Sequence, residues 1–488
     1  MMERLRAMTG EIPPGTVLDF SGSQIVNPDF SRVFVRGCYP LLFERLAQSP
    51  RRVIITGTPG TGKSLFRYYL LARLVALPEP PPYILWQSSV TGVVWCYDDE
   101  TKRVRRGKSW MDFEDELQDS KTWYILDAVP APDLDIEARI ILITSPNPSL
   151  LKDMDKAGAQ VLYMPLWSLD ELKECHAKVY GDKVPEELVV QLYQHYGGVP
   201  RYVLGLPSIH FKTKGADLDF HLRPLHVGLA KCDTLQVEAG IGALESGPEV
   251  SHRVLHIIAK GEDNFDRSHW DFASPWVANQ FVIKATKENI RKLAKLVNTT
   301  EGAIRGHLHE QLMHRLLPKG GGFKIVRIAR DTLARNAEEE LVLLPRITES
   351  CYFQDVGGII CAADGGVRDL VYYQPLLTNF ATVDSLLRQG DTLHLFQMTV
   401  SSSGKTVSAA ALTKLFEKLG NDETLRKLYK QLRLYFVVPP DVFNTFSLGR
   451  ASGSWPPNDR SQPQAARIKL YILKGGLEPK EVQQEMAE

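Results

Sequence analysis

At 488 residues the chain is too long for one ordinary hydrophobic core, and several domains are expected. A hydrophobic content of 44% with 24% charged residues excludes a disordered or low-complexity chain. With 58 basic and 58 acidic residues there is no global field to recruit nucleic acid, so any such binding must come from a local patch. The six cysteines are scattered, with no C-x-x-C pair and no zinc spacing, and read as reduced thiols of a cytosolic or nuclear compartment. No apolar run reaches the roughly 18–20 residues that span a bilayer, so no membrane partner is expected. The start MMERLRAMTGEIPPG lacks the apolar core of a signal peptide.

In chain order, residues 1–48 read as a lead-in ending in a helical segment, YPLLFERLAQS. Residues 49–210 alternate strands and helices, as a parallel α/β sheet requires. The strand candidates are RRVIITG, YILWQSS, TGVVWCYDD, KTWYILDAV, ARIILITSP and AQVLYMPL. Near-continuous apolar runs such as WYILD and IILIT suit central strands buried on both faces. From Ser168 the pattern turns helical, with Glu171 three residues on completing a capping box. Residues 211–300 read as a helical linker domain, and 301–488 as a second, α+β domain. The strands expected there are FKIVRI, GIICAA, DLVYYQP, VDSLLR, TLHLFQMTVS and LRLYFVVP, with the helix AALTKLFEKLG before the last. The segment GRASGSWPPNDRSQPQ reads as a polar loop.

Between the strand at Val53 and an apolar-periodic helix lies Gly57-Thr58-Pro59-Gly60-Thr61-Gly62-Lys63-Ser64, the full G-x-x-x-x-G-K-[ST] pattern in its strand–loop–helix context. Its glycines let backbone N–H groups turn inward around phosphate oxygens. Lys63 is placed to reach the β/γ-phosphates, and Ser64 offers a hydroxyl to Mg²⁺. A nucleoside triphosphate site is therefore expected. The strand WYILD ends in Asp127, where such ATPases hold the Mg²⁺-bound water. Ala128 follows, so the carboxylate that would orient an attacking water is missing there, with Asp133, Asp135 and Glu137 as nearby substitutes. Slow hydrolysis or a nucleotide switch is thus open. Thr144, Ser145 and Asn147 end the next strand, where a γ-phosphate would be sensed. Arg201, after the Gly198-Val199-Pro200 turn, is either a lid arginine reaching back to phosphate or a surface arginine.

In the second half two apolar runs flank RQGD, which suggests a β-hairpin. Asp384 opens its first strand, while Gln397 and Thr399 share one face of the second. With Glu310 from the helix RGHLHEQLMHRLL they could surround one Mg²⁺ and activate water on a phosphodiester. The plainer alternative is a turn aspartate and a satisfied strand amide. The stretch 281–330 is locally basic and could hold a phosphate backbone, or be a solvated helix face. The run from Lys102 to Lys108 reads as a basic hairpin turn in preference to a nuclear localisation patch.

The ordered set GTPGTGKS, ILDA, ITSPNP, MPLWSLDEL, YGGVPRYVL, RGHLHEQLMHRLLPKGGGFKI, NFATVDSLL and LFQMTVS resembles the Crinkler and retrotransposon-hot-spot proteins of eukaryotic pathogens and fungi. The resemblance runs from about Val35 to about Val438. It implies an α/β multidomain chain in which a P-loop ATPase of the AAA+/STAND kind precedes a restriction-endonuclease-like PD-(D/E)xK nuclease. By the same resemblance Lys63, Ser64 and Asp127 serve ATP and Mg²⁺, Arg201 is the lid arginine, and Glu310, Asp384 and Gln397 form the nuclease metal site. Thr399 stands where the nuclease lysine is expected, which leaves Lys405 to replace it. The implied partner is double-stranded DNA, cut with little sequence preference, with a host nuclear protein or a homo-oligomer as further candidates. The implied location is the host nucleus, after secretion. The competing expectation is a nucleotide-dependent switch whose degenerate nuclease fold binds without cutting.

Overall fold

The computed structural model describes residues 12–21, 31–132, 136–232, 251–259, 265, 267–300, 302–353, 359–361, 366–375, 383–449 and 464–476. The chain is mixed α/β and divides into two compact units, 1–277 and 278–488.

The first unit opens with a short antiparallel ladder, β1 (Val17–Asp19) on β2 (Arg32–Phe34), and helix α1 (Cys38–Gln48). Then follow β3 (Arg52–Thr56), α2 (Lys63–Val75), β4 (Tyr83–Ser88), β5 (Val94–Asp98), β6 (Arg103–Gly107), β7 (Trp123–Asp127), β8 (Arg139–Ile143), α3 (Pro148–Lys156) and β9 (Gln160–Tyr163). Seven of these strands form one sheet in the order β6-β5-β4-β7-β8-β3-β9. Strands β4, β7, β8, β3 and β9 run parallel, and β5 and β6 are antiparallel additions at one edge. The six expected strands are all present. The apolar runs IILI and YIL are buried in the centre because parallel strands are covered on both faces. The Lys102–Lys108 run is the turn and edge strand of the β5–β6 hairpin, with Lys102 at φ 59°. Charge on an edge strand discourages further pairing.

The helices α4 (Leu169–Cys175), α5 (Glu186–Tyr196), α6 (Leu206–Lys214) and α7 (Leu218–Lys231) complete this unit with a hairpin, β10 (Leu255–Ala259) on β11 (Arg267–Phe272). That hairpin lies in the stretch expected to be a helical linker, and the division between units falls inside the stretch as well. The Ser168 hydroxyl caps α4 by accepting from Glu171 N–H at 3.1 Å. The other half of the expected box does not form, because the Glu171 carboxylate receives Arg36 at 2.9 and 3.0 Å instead.

Helix α8 (Pro275–Thr299) spans the division between units. The second unit continues with α9 (Gly302–Leu316) and then β12 (Gly321–Ile328), β13 (Arg335–Leu344), β14 (Glu349–Phe353), β15 (Ile360–Cys361), β16 (Gly366–Val367), β17 (Val371–Pro375), β18 (Ser385–Gln389), β19 (Thr392–Met398), α10 (Ala409–Leu419), α11 (Asp422–Leu428), β20 (Gln431–Val438) and β21 (Lys469–Lys474). Eight strands form a mixed sheet, β13-β12-β21-β20-β19-β18-β17-β14, and β15 pairs with β16 in a two-stranded ladder. Its core is built on Leu393, Leu395, Leu434, Phe436 and Ile472, with Leu412, Leu415 and Phe416 of α10 packed against them. The expected β18–β19 hairpin is present, closed by the turn at Gly390 with φ 58°. The GRASGSWPPNDRSQPQ loop lies almost wholly outside the described residues.

Candidate functional site: a glycine loop and an acidic hairpin

In the first unit, β3 delivers the chain into the loop and α2 carries it away. Gly57, Gly60 and Gly62 adopt φ of 135°, 89° and 94°, a region that costs a residue with a Cβ. A Cβ on Gly57 would stand 2.9 Å from the Met164 carbonyl, and one on Gly60 would meet Val199 and Arg201 at 2.9 and 3.0 Å. No side chain caps α2, so the positive end of its dipole faces the loop.

The loop is tied on several sides. Trp167 donates its indole N–H to the Thr61 carbonyl at 2.8 Å, and Arg201 N–H donates to the Gly60 carbonyl at 3.3 Å. Thr58 Oγ1 accepts Ile257 N–H from β10 at 2.9 Å, and the Thr61 hydroxyl donates to the Thr58 carbonyl at 3.0 Å. Pro59 lies between these anchors. Lys63, only 5% exposed, folds back over the loop and donates Nζ to the carbonyls of Gly57 at 2.9 Å and Thr58 at 2.8 Å. Burial, and then the charge of Arg201, pull its ammonium down to about 7 against the opposing pull of Asp127.

Asp127 ends β7, two strands from the loop, and is 6% exposed. Its Oδ1 accepts the Ser64 hydroxyl at 2.8 Å, and its Oδ2 accepts Arg67 Nη1 at 2.8 Å. Arg67 was not marked by the motif, although its i,i+3 spacing from Ser64 on α2 puts both on one helix face. Ala128, the next residue, holds φ 54°, which is strained for alanine.

The other sequence candidates divide. Arg201 is exposed and its charge acts on Lys63. Asn147 is an N-cap: its Oδ1 accepts Ser149 N–H at 3.1 Å and the Ser149 hydroxyl at 2.8 Å, a role that uses the amide oxygen and not the NH2 group that would donate to a phosphate. The Thr144 hydroxyl is buried and donates to the Ser145 carbonyl. Glu137 pairs with Arg51, before the start of β3 and so at the opposite end of the strands from the loop; it is not placed to orient a water there. Asp133 and Asp135 lie outside the described residues.

In the second unit Asp384 stands just before β18, whose first residue Ser385 pairs with Phe396, and its own N–H donates to the Phe396 carbonyl at 2.7 Å, next to Gln397 in the chain. Asp384 is half-buried, and its Oδ2 accepts Met398 N–H at 2.6 Å. Burial and then the charge of Glu310 push its carboxyl up to about 6, against the Met398 hydrogen bond and the charges of His314 and Lys405. The hairpin aspartate, the α9 glutamate and the Lys405 ammonium therefore share one electrostatic neighbourhood. Despite burial, His314, with His307 and His309, holds Glu310 below its ordinary value. His314, missed by sequence reading, has Nε2 3.7 Å from Glu310 Oε1 and Nδ1 3.0 Å from the Tyr372 hydroxyl. Gln397 and Thr399 are each 9% exposed, and Thr399 brings no cation to the strand. Lys405 lies on the segment after β19, bridged to Leu448. Part of the basic stretch is turned to internal use: Arg305 binds Asp441 at 2.6 and 2.7 Å, and Arg330 bonds the Ala466 carbonyl.

The two sites differ in how well they fit the groups expected of them. The left-handed glycines, uncapped helix start, ammonium and adjoining hydroxyl–carboxylate pair fit a phosphate chain and a hard cation. In the second unit Asp384, Glu310 and the Gln397 amide oxygen are hard donors suited to Mg²⁺. No group of three or more His, Cys, Asp or Glu is arranged for a metal among the described residues, so the amide is needed to complete a set. No helix among the described residues is long and apolar enough to cross a membrane.

No family model matches the chain. It is similar to Crinkler effector protein 16 of Phytophthora infestans, 23% identical over 443 residues that cover 85% of this chain and 64% of that protein. Crinkler effector protein 15 of the same organism is 22% identical over 442 residues, with the same coverage of each. The chain thus spans under two thirds of the length of these curated relatives.

Proposed function

We propose that the chain is an effector of the Crinkler kind in which an ATP-binding P-loop unit governs a restriction-endonuclease-like unit acting on DNA. The observation that carries this reading is the loop geometry, with Lys63 Nζ resting 2.8–2.9 Å from two loop carbonyls, where an incoming phosphate would take it over. The similarity to proteins named as effectors supports the biological half. Backbone N–H groups of 57–64 would bind the phosphate chain, Lys63 would counter its charge, and Ser64 and Asp127 would hold Mg²⁺. Arg201 would close on the phosphates. With Ala128 after Asp127 and Glu137 turned away, ATP would act chiefly as a slow switch.

In the second unit Asp384, Glu310 and Gln397 would hold Mg²⁺, which when bound polarises a phosphodiester and acidifies a water. Lys405 would face the developing negative charge, and what remains exposed of the basic 281–330 stretch would hold the DNA backbone without reading sequence. Action in a host nucleus belongs to this proposal. A second reading, a nucleotide switch that binds DNA or a host protein without cutting, is favoured by one observation: Thr399, not lysine, stands two residues after Gln397, just past the end of β19.

Supercoiled plasmid with Mg²⁺, with and without ATP, separates the two. Nicking that Asp384→Ala abolishes and Lys63→Ala alters supports the nuclease. Intact plasmid in Mg²⁺ and in Mn²⁺ establishes the switch in its place.

A further inference from the structure

The Arg67–Asp127 pair is more than a strut between helix and sheet. Arg67 is 7% exposed and Asp127 6%, so the charges meet largely away from water. Asp127 is satisfied at both oxygens: Ser64 holds Oδ1 at 2.8 Å, Arg67 holds Oδ2 at 2.8 Å, and the Ser88 hydroxyl approaches Oδ2 at 3.4 Å. Arg67 is not fully satisfied. Its Nη2 donates to the Tyr68 hydroxyl at 3.0 Å and its plane lies 4.8 Å over that ring, but its buried Nε has no hydrogen-bond partner. A buried ion pair that serves only stability should satisfy the remaining donors of its guanidinium. This one leaves a donor orphaned in order to cover a carboxylate.

We propose that Arg67 is the resident counter-ion of Asp127, standing in for a divalent cation and keeping Mg²⁺ out of the loop until phosphate arrives. The inference rests on the nucleotide reading for its purpose, but not for its test. An Asp127 carboxylate with its charge already countered has little to gain from a hydrated dication, because Mg²⁺ gives up its waters reluctantly. A bound phosphate adds negative charge and oxygen ligands together, which makes metal entry favourable. Arg67 would then turn its unsatisfied donors elsewhere.

The test uses the full chain without nucleotide. Thermal unfolding of wild-type protein, with and without millimolar Mg²⁺, should show no shift. Arg67→Gln should unfold earlier in EDTA and recover by about 3 °C or more in Mg²⁺, because a ligand that binds only the folded state stabilises it. Arg67→Gln/Asp127→Asn should again ignore Mg²⁺. Arg67→Lys, which keeps the charge, should stay insensitive, and Arg67→Met, apolar and similar in length, repeats the EDTA and Mg²⁺ comparison where the glutamine variant does not fold. A wild-type Tm that rises with Mg²⁺ as much as the variant's, or an Arg67→Gln protein indifferent to Mg²⁺, would overturn the proposal. ATP calorimetry run beside it tells this failure from that of the nucleotide reading: a chain that binds no ATP leaves the Mg²⁺ comparison fully readable.

Discussion

Thr58 Oγ1 accepts the backbone N–H of Ile257 at 2.9 Å, so the glycine loop is fastened to a hairpin 199 residues further along the chain. The Thr58 hydroxyl also approaches the Ile257 carbonyl at 3.4 Å, and both residues are buried. Replacing Thr58 by Val removes the acceptor but keeps the shape. An amide N–H left unsatisfied in the interior costs about 1–3 kcal/mol. Thr58→Val should lower the Tm by several degrees and weaken ATP, whereas Thr58→Ser should retain both; equal losses in the two variants would show that the hydroxyl does not matter.

Lys63 titrates near 7 because burial and Arg201 disfavour its charge. A phosphate placed against it favours the ammonium and raises that value. Below pH 7 the loop binds with the proton already in place. Above it, binding must take up a proton, and affinity falls by up to tenfold per pH unit. ATP titrations in two buffers of different ionisation heat should report this uptake above pH 7, and affinity independent of pH would refute it.

Ala128 carries φ 54° directly after the site acid. A residue with a Cβ pays about 1–2 kcal/mol there, and glycine does not. Ala128→Gly should therefore raise stability by about 1 kcal/mol, less the entropy that glycine returns to the unfolded chain. Chemical denaturation measures it, and a fall in midpoint would contradict the strain.

Asp384 is held at about 6 against an ordinary 3.8. Its protonated form suits the fold, so this favourable contribution is whole below pH 4 and is lost as the pH rises through 6. An asparagine never ionises. Asp384→Asn should match wild type near pH 4 and exceed its stability by about 1–2 kcal/mol at neutral pH, a range kept low because the group is half-buried. A constant difference across that range would mean that the charge is not strained.

Much of the first unit was legible because its motif is local. Six strands with apolar runs, the loop and Asp127 all declare themselves within a few residues. Arg67 escaped because its role depends on which strand end faces α2, and strand order is not written in any window. Asn147 also caps α3, a second role that an asparagine before proline takes readily. In the second unit the β18–β19 hairpin was plain from its alternation, but β13, β14 and β21 were not marked. Strand β13 begins Arg335-Asn-Ala-Glu-Glu-Glu with both faces open to solvent, and alternation of burial starts only at Leu341. The hairpin that brings Asp384 to the Phe396–Met398 end of β19 was foreseeable; the company of His314 was not, because helix α9 meets the sheet only in three dimensions.

In the proposed function the 57–64 loop takes a nucleoside triphosphate through Lys63. The most direct measurement is isothermal titration of ATP with Mg²⁺ into the full chain at slightly acid pH, for wild type and Lys63→Ala. Wild type should show saturable one-site binding and the variant at least a tenfold loss, with its fold unchanged by circular dichroism. Equal affinity in the two proteins, or none in wild type, would contradict this reading.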